Sequence, residues 1–153
     1  CVPLVYNSGG YDSVDTLRLL DGIFDIYMPD AKYGEDGPAQ KYSNAPGYVA
    51  IMKAALTEMH RQVGDLELDG EGVAVRGLLV RHLVLPGGLA GSEEVVRFIS
   101  REISRDTYIN VMAQYRPEYN ACRFPELSRP ITAREYAAAL AIAAGLSRGL
   151  AML

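Results

Sequence analysis

The chain has no tryptophan, and only two cysteines and two histidines in 153 residues. Cys1 and Cys122 lie far apart without a C-x-x-C spacing, so neither a disulfide framework nor a zinc or iron–sulfur motif is encoded in this stretch. Both thiols read as buried or incidental. His60 and His82 have no carboxylates at ligand spacing, which argues against a catalytic zinc. Positive charge is also in short supply: 15 Lys and Arg against 19 Asp and Glu leave a formal net charge of −4, with no basic run. That balance points away from nucleic acid or a membrane surface as the main partner and towards a small molecule. No apolar run approaches the roughly 18 residues that a bilayer crossing needs. Nor does a basic region followed by an apolar core open the chain, so a cytoplasmic protein is expected. The start on Cys1-Val2-Pro3-Leu4-Val5-Tyr6, without an initiator Met, reads as cut from something longer.

The sequence does contain four apolar runs that each end in polar or Gly-rich residues. Pro3–Asn7 runs into Ser8-Gly9-Gly10. Ile23–Met28 runs into Pro29-Asp30-Ala31-Lys32. Gly77–Leu85 is nearly continuously apolar apart from Arg81 and His82 and ends in Pro86-Gly87-Gly88. Thr107–Met112 runs into Ala113-Gln114-Tyr115. Between them lie helical patterns. Ser13 or Asp15 caps a short helix with Leu17, Leu19 and Leu20 facing a core. Tyr48 to Val63 carries Tyr48, Met52, Ala55, Met59 and Val63 at three- and four-residue steps, a core stripe closed by Gly64. Ser92 is read as the cap of a helix over Glu93–Ile103, and Thr132-Ala133-Arg134-Glu135 as a capping box for a final helix to about Ala144. Tyr33–Gly47 reads as a loop with room for one helical turn, and Asp65–Val75 as a small hairpin turning at Asp69-Gly70.

This order gives four consecutive βα units in one domain over residues 1–153, an α/β chain with ligands expected where strands end. Alternation places Asp30 and Lys32 on one strand face, roughly 7 Å apart, beside the face of Leu79, Arg81 and Leu83. A guanidinium held inside the fold needs a carboxylate or an anionic ligand, and Asp30 is the obvious partner. An ion pair that simply closes the sheet end is the plainer alternative for Asp30 and Lys32. His82 points towards the helix layer as a structural histidine, and His60 reads as solvated.

Val5-Tyr6-Asn7-Ser8-Gly9-Gly10-Tyr11, Leu20 to Tyr33, Met59 to Gly64, Gly77 to Gly87 and Met112 to Pro117 together resemble, in order, the later part of a radical S-adenosylmethionine enzyme of the branch similar to pyruvate formate-lyase activating enzymes. The resemblance covers nearly the whole chain. It implies the third to sixth units of a partial (β/α)6 barrel, within an oxidoreductase that cleaves S-adenosylmethionine reductively at a [4Fe–4S] cluster. The resulting 5′-deoxyadenosyl radical would abstract hydrogen from a small molecule or from a polypeptide such as a glycyl radical enzyme. Asp30 and Lys32 would serve catalysis. Asn7, Ser8 and Met28 would join them around the cofactor's carboxylate and a neighbouring cation, with Asn7 standing where an Asp is usual. Arg81 and Leu83 would meet ribose and adenine, and Gln114 and Tyr115 the adenine, where a His is usual. The Cys-x3-Cys-x2-Cys loop and the Gly-Gly-Glu-type segment of that family have no counterpart here. The chain alone is therefore expected to bind no cluster or cofactor and to be inactive. Two other readings remain open: a barrel lyase or aldolase with Lys32 as Schiff base, and a non-catalytic half-barrel that self-associates through its open edges.

Overall fold

The computed structural model describes residues 2–151, so Cys1 lies outside it. The chain is α/β. Five parallel strands, β1 (Val5–Ser8), β2 (Ile26–Pro29), β4 (Ala74–Leu83), β5 (Tyr108–Met112) and β6 (Leu150–Ala151), lie side by side in chain order. The two-residue β3 (Glu67–Leu68) pairs antiparallel with the start of β4. The helices are α1 (Val14–Leu19), α2 (Asp36–Ser43), α3 (Tyr48–Val63), α4 (Ser92–Phe98) and α5 (Ala133–Leu146).

Sequential strand order has a direct consequence for the layers. Crossovers between parallel strands are right-handed, so an order that never reverses keeps every helix on one face of the sheet. Burial follows that rule. Tyr27, Leu78, Val80, His82, Ile109 and Val111, on the helix side, are essentially sealed from solvent. The alternate positions Asn7, Met28, Asp30, Leu79, Arg81, Leu83, Asn110 and Met112 are partly or fully exposed. The α3 stripe packs as its spacing suggested, with Tyr48, Met52, Ala55, Met59 and Val63 all buried. Polar groups beneath it are satisfied: Tyr27 donates to Gln62 Oε1 at 2.6 Å, and Gln62 Nε2 donates to Leu17 O at 2.8 Å.

Several local expectations are corrected. Leu19 is 81% exposed because α1 ends there and turns through Leu20, leaving Leu17 as its core contact. The second strand starts at Ile26, since Gly22–Asp25 forms a turn in which Ile23 N donates to Leu20 O and Asp25 Oδ2 accepts from Leu4 N. The segment read as a loop with one helical turn contains the eight-residue α2, whose mostly polar composition hides its length from a hydrophobic pattern. Gly91, in the left-handed region at φ 62°, is the N-cap of α4, and the Ser92 hydroxyl is instead bonded to His82. The helix then loosens into a π-helical turn over Ile99–Ile103. His60 is only 24% exposed, with Nε2 3.1 Å from Asp65 Oδ1. That carboxylate also accepts from Ser104 and Thr107. Cys122 is exposed on a 3-10 turn, the incidental alternative rather than the buried one. The capping box is present as read, with Glu135 N donating to Thr132 Oγ1 and Glu135 Oε2 accepting from Thr132 N.

Candidate functional site

At the carboxyl ends of β1, β2 and β4, four of the singled-out side chains meet on the face that no helix covers. Backbone pairing aligns them. Asn7 stands opposite Met28, and Asp30 continues β2 as a parallel bridge to Arg81. Asp30 N donates to Ser8 O at 3.0 Å and Ala31 N to Arg81 O at 2.8 Å, so the residues after β2 are tied to both neighbours. Adjacent strands lie about 4.8 Å apart, and Arg81 spans two of those intervals. Its Nε donates to Asp30 Oδ1 at 2.8 Å, its Nη2 lies 2.6 Å from the same oxygen, and Nη2 also donates to Asn7 Oδ1 at 2.9 Å. Lys32 Nζ sits 3.6 Å from Asp30 Oδ2. Asp30 and Arg81 are mostly shielded, at 18% and 26% side-chain exposure, whereas Lys32 reaches solvent at 45%.

The Gly-rich turn belongs to the same structure. Gly10, at φ 73°, lies so close to β2 that a Cβ there would come within 2.1 Å of Asp30 O. The turn is pinned by Asp12, which accepts from Ser8 Oγ at 2.7 Å and from Tyr6 OH at 3.2 Å. Lys32 lies over Gly9, its Nζ 3.9 Å from where a Cβ would stand. Tyr48, at the first turn of α3, supports the segment from below: its hydroxyl accepts from Lys32 N at 2.8 Å and donates to Asp30 O at 3.4 Å. Burial pushes this phenol up to about 12, so it remains a neutral hydrogen-bonding group across the physiological range.

The remaining candidates are placed differently. Met28 and Leu83 share the uncovered face and supply apolar floor beside the charges. Gln114 donates to Met112 Sδ at 3.5 Å, on the rim of that face. Ser8 turns away, its hydroxyl used within the loop by Asp12 and by Gly10 N. Tyr115 packs against the core with its hydroxyl donating to Leu127 O at 2.8 Å. His82 is fully buried between Ala31 O at 2.7 Å and Ser92 Oγ at 2.8 Å, and burial pushes its imidazole down. Sequence reasoning missed Asn110, which stands in register beside Arg81 on β5, and the supporting roles of Asp12 and Tyr48. The alternation of Tyr108-Ile109-Asn110-Val111-Met112 carried the signal for Asn110.

The site has both signs of charge close together, with one carboxylate facing two cations. It suits a ligand that is itself zwitterionic, its anionic group drawn to Lys32 and Arg81 and its cationic group to Asp30. Among the described residues, no three His, Cys, Asp or Glu side chains converge as a metal site. Among them, too, no helix is long and apolar enough to cross a membrane.

No family model and no solved structure matches the chain. It is similar to an uncharacterized protein of Methanocaldococcus jannaschii, with 34% identity over 143 residues, which are 93% of this chain and 38% of that protein. The chain thus spans well under half the length of that relative.

Proposed function

We propose that this chain forms the later part of the barrel of a radical S-adenosylmethionine enzyme, in the branch similar to pyruvate formate-lyase activating enzymes, and that Asn7, Asp30 and Lys32 hold the amino-acid end of the cofactor, with Arg81 between that end and the ribose and adenine. The observation that carries the reading is the Arg81–Asp30 pair, flanked by Asn7 and Lys32, at strand carboxyl ends on the uncovered face. Parallel strands in sequential order with helices on one side are the winding of a barrel rather than of a doubly wound sheet. That supports a partial (β/α) barrel whose interior face is the one bearing Arg81. The order of the family-like motifs along the chain supports the same assignment.

The charge set fits S-adenosylmethionine, whose methionine end is zwitterionic. Asp30 would receive its ammonium and Lys32 its carboxylate, Arg81 and Leu83 would meet the ribose and adenine, and Met28 would offer apolar contact. When bound, the cofactor supplies hydrogen-abstraction chemistry that no side chain can perform. This chain's residues bind and orient it and limit water on one wall. The described residues do not fit an iron–sulfur cluster, which needs thiolates in one loop. In this reading another part of the longer protein supplies those ligands. The hydrogen donor would be a polypeptide of the glycyl radical enzyme kind or a small molecule, in the cytoplasm.

The lyase reading has less support. A Schiff-base lysine needs desolvation or a cationic neighbour to free its amine, whereas Lys32 is nearly half exposed and its nearest charged partner is a carboxylate. The test is anaerobic reconstitution of the full-length protein with iron and sulfide, followed by reduction with S-adenosylmethionine present. Formation of 5′-deoxyadenosine is expected. A cluster-loaded protein that forms none would overturn the proposal, and borohydride trapping of a carbonyl substrate on Lys32 would favour the lyase.

A further inference from the structure

Beyond the carboxyl ends of β4 and β5, where Leu85 and Tyr115 follow the strands, lies a pocket walled by aromatic rings. Tyr33, Tyr42, Tyr115, Tyr119 and Phe124 line it, with Glu118 at its wall, around a cavity of about 170 Å³. That is well below the several hundred Å³ of a site for a whole cofactor, and it suits a head group. We propose that this pocket binds an alkylated ammonium group.

The case begins with what the tyrosines have left to offer. The Tyr33 hydroxyl is engaged with Ser43 Oγ at 2.9 Å, Tyr42 donates to Glu126 Oε1 at 2.7 Å, and Tyr115 donates to Leu127 O at 2.8 Å. With those hydroxyls committed, Tyr33, Tyr42 and Tyr115 contribute rings rather than free hydroxyls to the lining. Tyr42 and Phe124 stand edge to face, 5.1 Å between centroids and 87° apart, so their rings form adjoining walls. Ring faces carry negative potential, and Glu118 adds a carboxylate to the lining. A cation is the electrostatic complement of such walls. A small, strongly hydrated ion would lose too much water there. A tetraalkylated nitrogen is weakly hydrated and covered in apolar surface, so it gains from burial and from the ring faces together.

Two further observations agree. The chain already places a cation of its own against these rings: Lys41 Nζ lies 5.0 Å from the Tyr42 centroid and 5.8 Å from that of Phe124. Lys41 is paired with Glu126 and does not line the cavity. Tyr119 is 93% exposed yet holds a left-handed backbone at φ 53°, an outlier for a bulky residue. Burial does not account for that ring, and strain of this kind clusters at ligand clamps.

The test is a calorimetric titration of the full chain with choline, paralleled by 3,3-dimethylbutan-1-ol, which has the same shape without the charge. Choline is expected to bind saturably and roughly tenfold more tightly than the alcohol. Glu118→Gln should weaken choline by about threefold or more and leave the alcohol unchanged, and Phe124→Leu should weaken choline as well. Both variants need circular dichroism matching the parent. Equal affinity for the two probes would leave an apolar pocket and overturn the inference. So would choline affinity untouched by both substitutions, or no saturable heat up to about 50 mM. The titration contains no S-adenosylmethionine, so its result is independent of the proposed activity.

Discussion

One oxygen of Asp30 takes both Arg81 contacts, Nη2 at 2.6 Å and Nε at 2.8 Å, while the other faces Lys32 Nζ at 3.6 Å. The aspartate is therefore the hub of the charge cluster. Removing it leaves a mostly shielded guanidinium with, among the described residues, the Asn7 amide oxygen as its remaining side-chain partner. Fully buried pairs lose about 3–5 kcal/mol when one partner goes, and partial exposure of this pair brings the expected loss for Asp30→Ala to about 1–3 kcal/mol. Urea unfolding of Asp30→Ala, Arg81→Ala and the double variant gives the coupling. A coupling indistinguishable from zero would mean that the pair is only an exposed contact.

Gly10 and Gly22 separate backbone strain from close approach. Both have positive φ, 73° and 79°, but a Cβ at Gly10 meets Asp30 O at 2.1 Å whereas nothing lies within 4 Å of one at Gly22. Gly22→Ala should cost about 1 kcal/mol. Gly10→Ala should cost at least about 2 kcal/mol more and displace the Asp30 segment. Similar losses of thermal stability in the two variants would show that β2 does not press on the turn.

Tyr48 sets an alkaline limit. Burial lifts its folded-state value from 10.0 to about 12. Between those values the unfolded chain gives up the phenol proton first, so stability falls as pH rises from 10 towards 12. Absorbance at 295 nm should show a group of tyrosines lagging, since burial also raises Tyr6, Tyr27, Tyr42 and Tyr115, and Tyr48→Phe should remove one residue's amplitude from the late end of that group. An unchanged titration in that variant would contradict the burial argument.

His82 sets an acid one. Burial depresses its folded-state value below 6.5, so the unfolded chain protonates first as the pH drops. The stability it contributes is complete above 6.5 and is lost as pH falls from there through the depressed folded value. Melting temperatures between pH 7.5 and 5 should fall in the parent, and His82→Gln should flatten the slope whatever its absolute stability. A slope preserved in the variant would assign it elsewhere.

The uncovered face should drive association of the 153-residue chain. Val5 is 45% exposed, and Met28, Leu83 and Met112 are only partly covered. Among the described residues, β1 is a sheet edge. An open edge next to apolar surface favours pairing with a second copy. Sedimentation equilibrium at tens of micromolar, roughly where modest interfaces form, should show a dimer; a strict monomer with cooperative unfolding would show that the face is stable in water.

Much of this was legible in the sequence because periodicity reports burial. The Tyr48–Val63 stripe, the capping box at Thr132 and the meeting of Asp30 with Arg81 all follow from which positions share a face. What escaped it lacks a hydrophobic period. α2 is mostly polar, with Ala39 its one fully buried residue, and β6 is two residues long. β6 follows Gly149, where a Cβ would stand 2.3 Å from Thr107 O, a tertiary contact that no local pattern encodes. At the site, Asp12 and Tyr48 were overlooked because their work is to hold backbone in place. The hydrogen bond from the Tyr115 hydroxyl to Leu127 O joins residues twelve apart and was likewise not legible in the local pattern.

The affinity of full-length, cluster-loaded protein for S-adenosylmethionine tests the central claim most directly, with Asp30→Ala compared against His82→Ala at equal cluster content. Asp30 faces the uncovered side and His82 the helix layer. The expected result is at least about tenfold weaker binding for Asp30→Ala, with His82→Ala within about twofold of the parent. Equal losses in the two variants, or an Asp30→Ala protein that binds like the parent, would contradict the account.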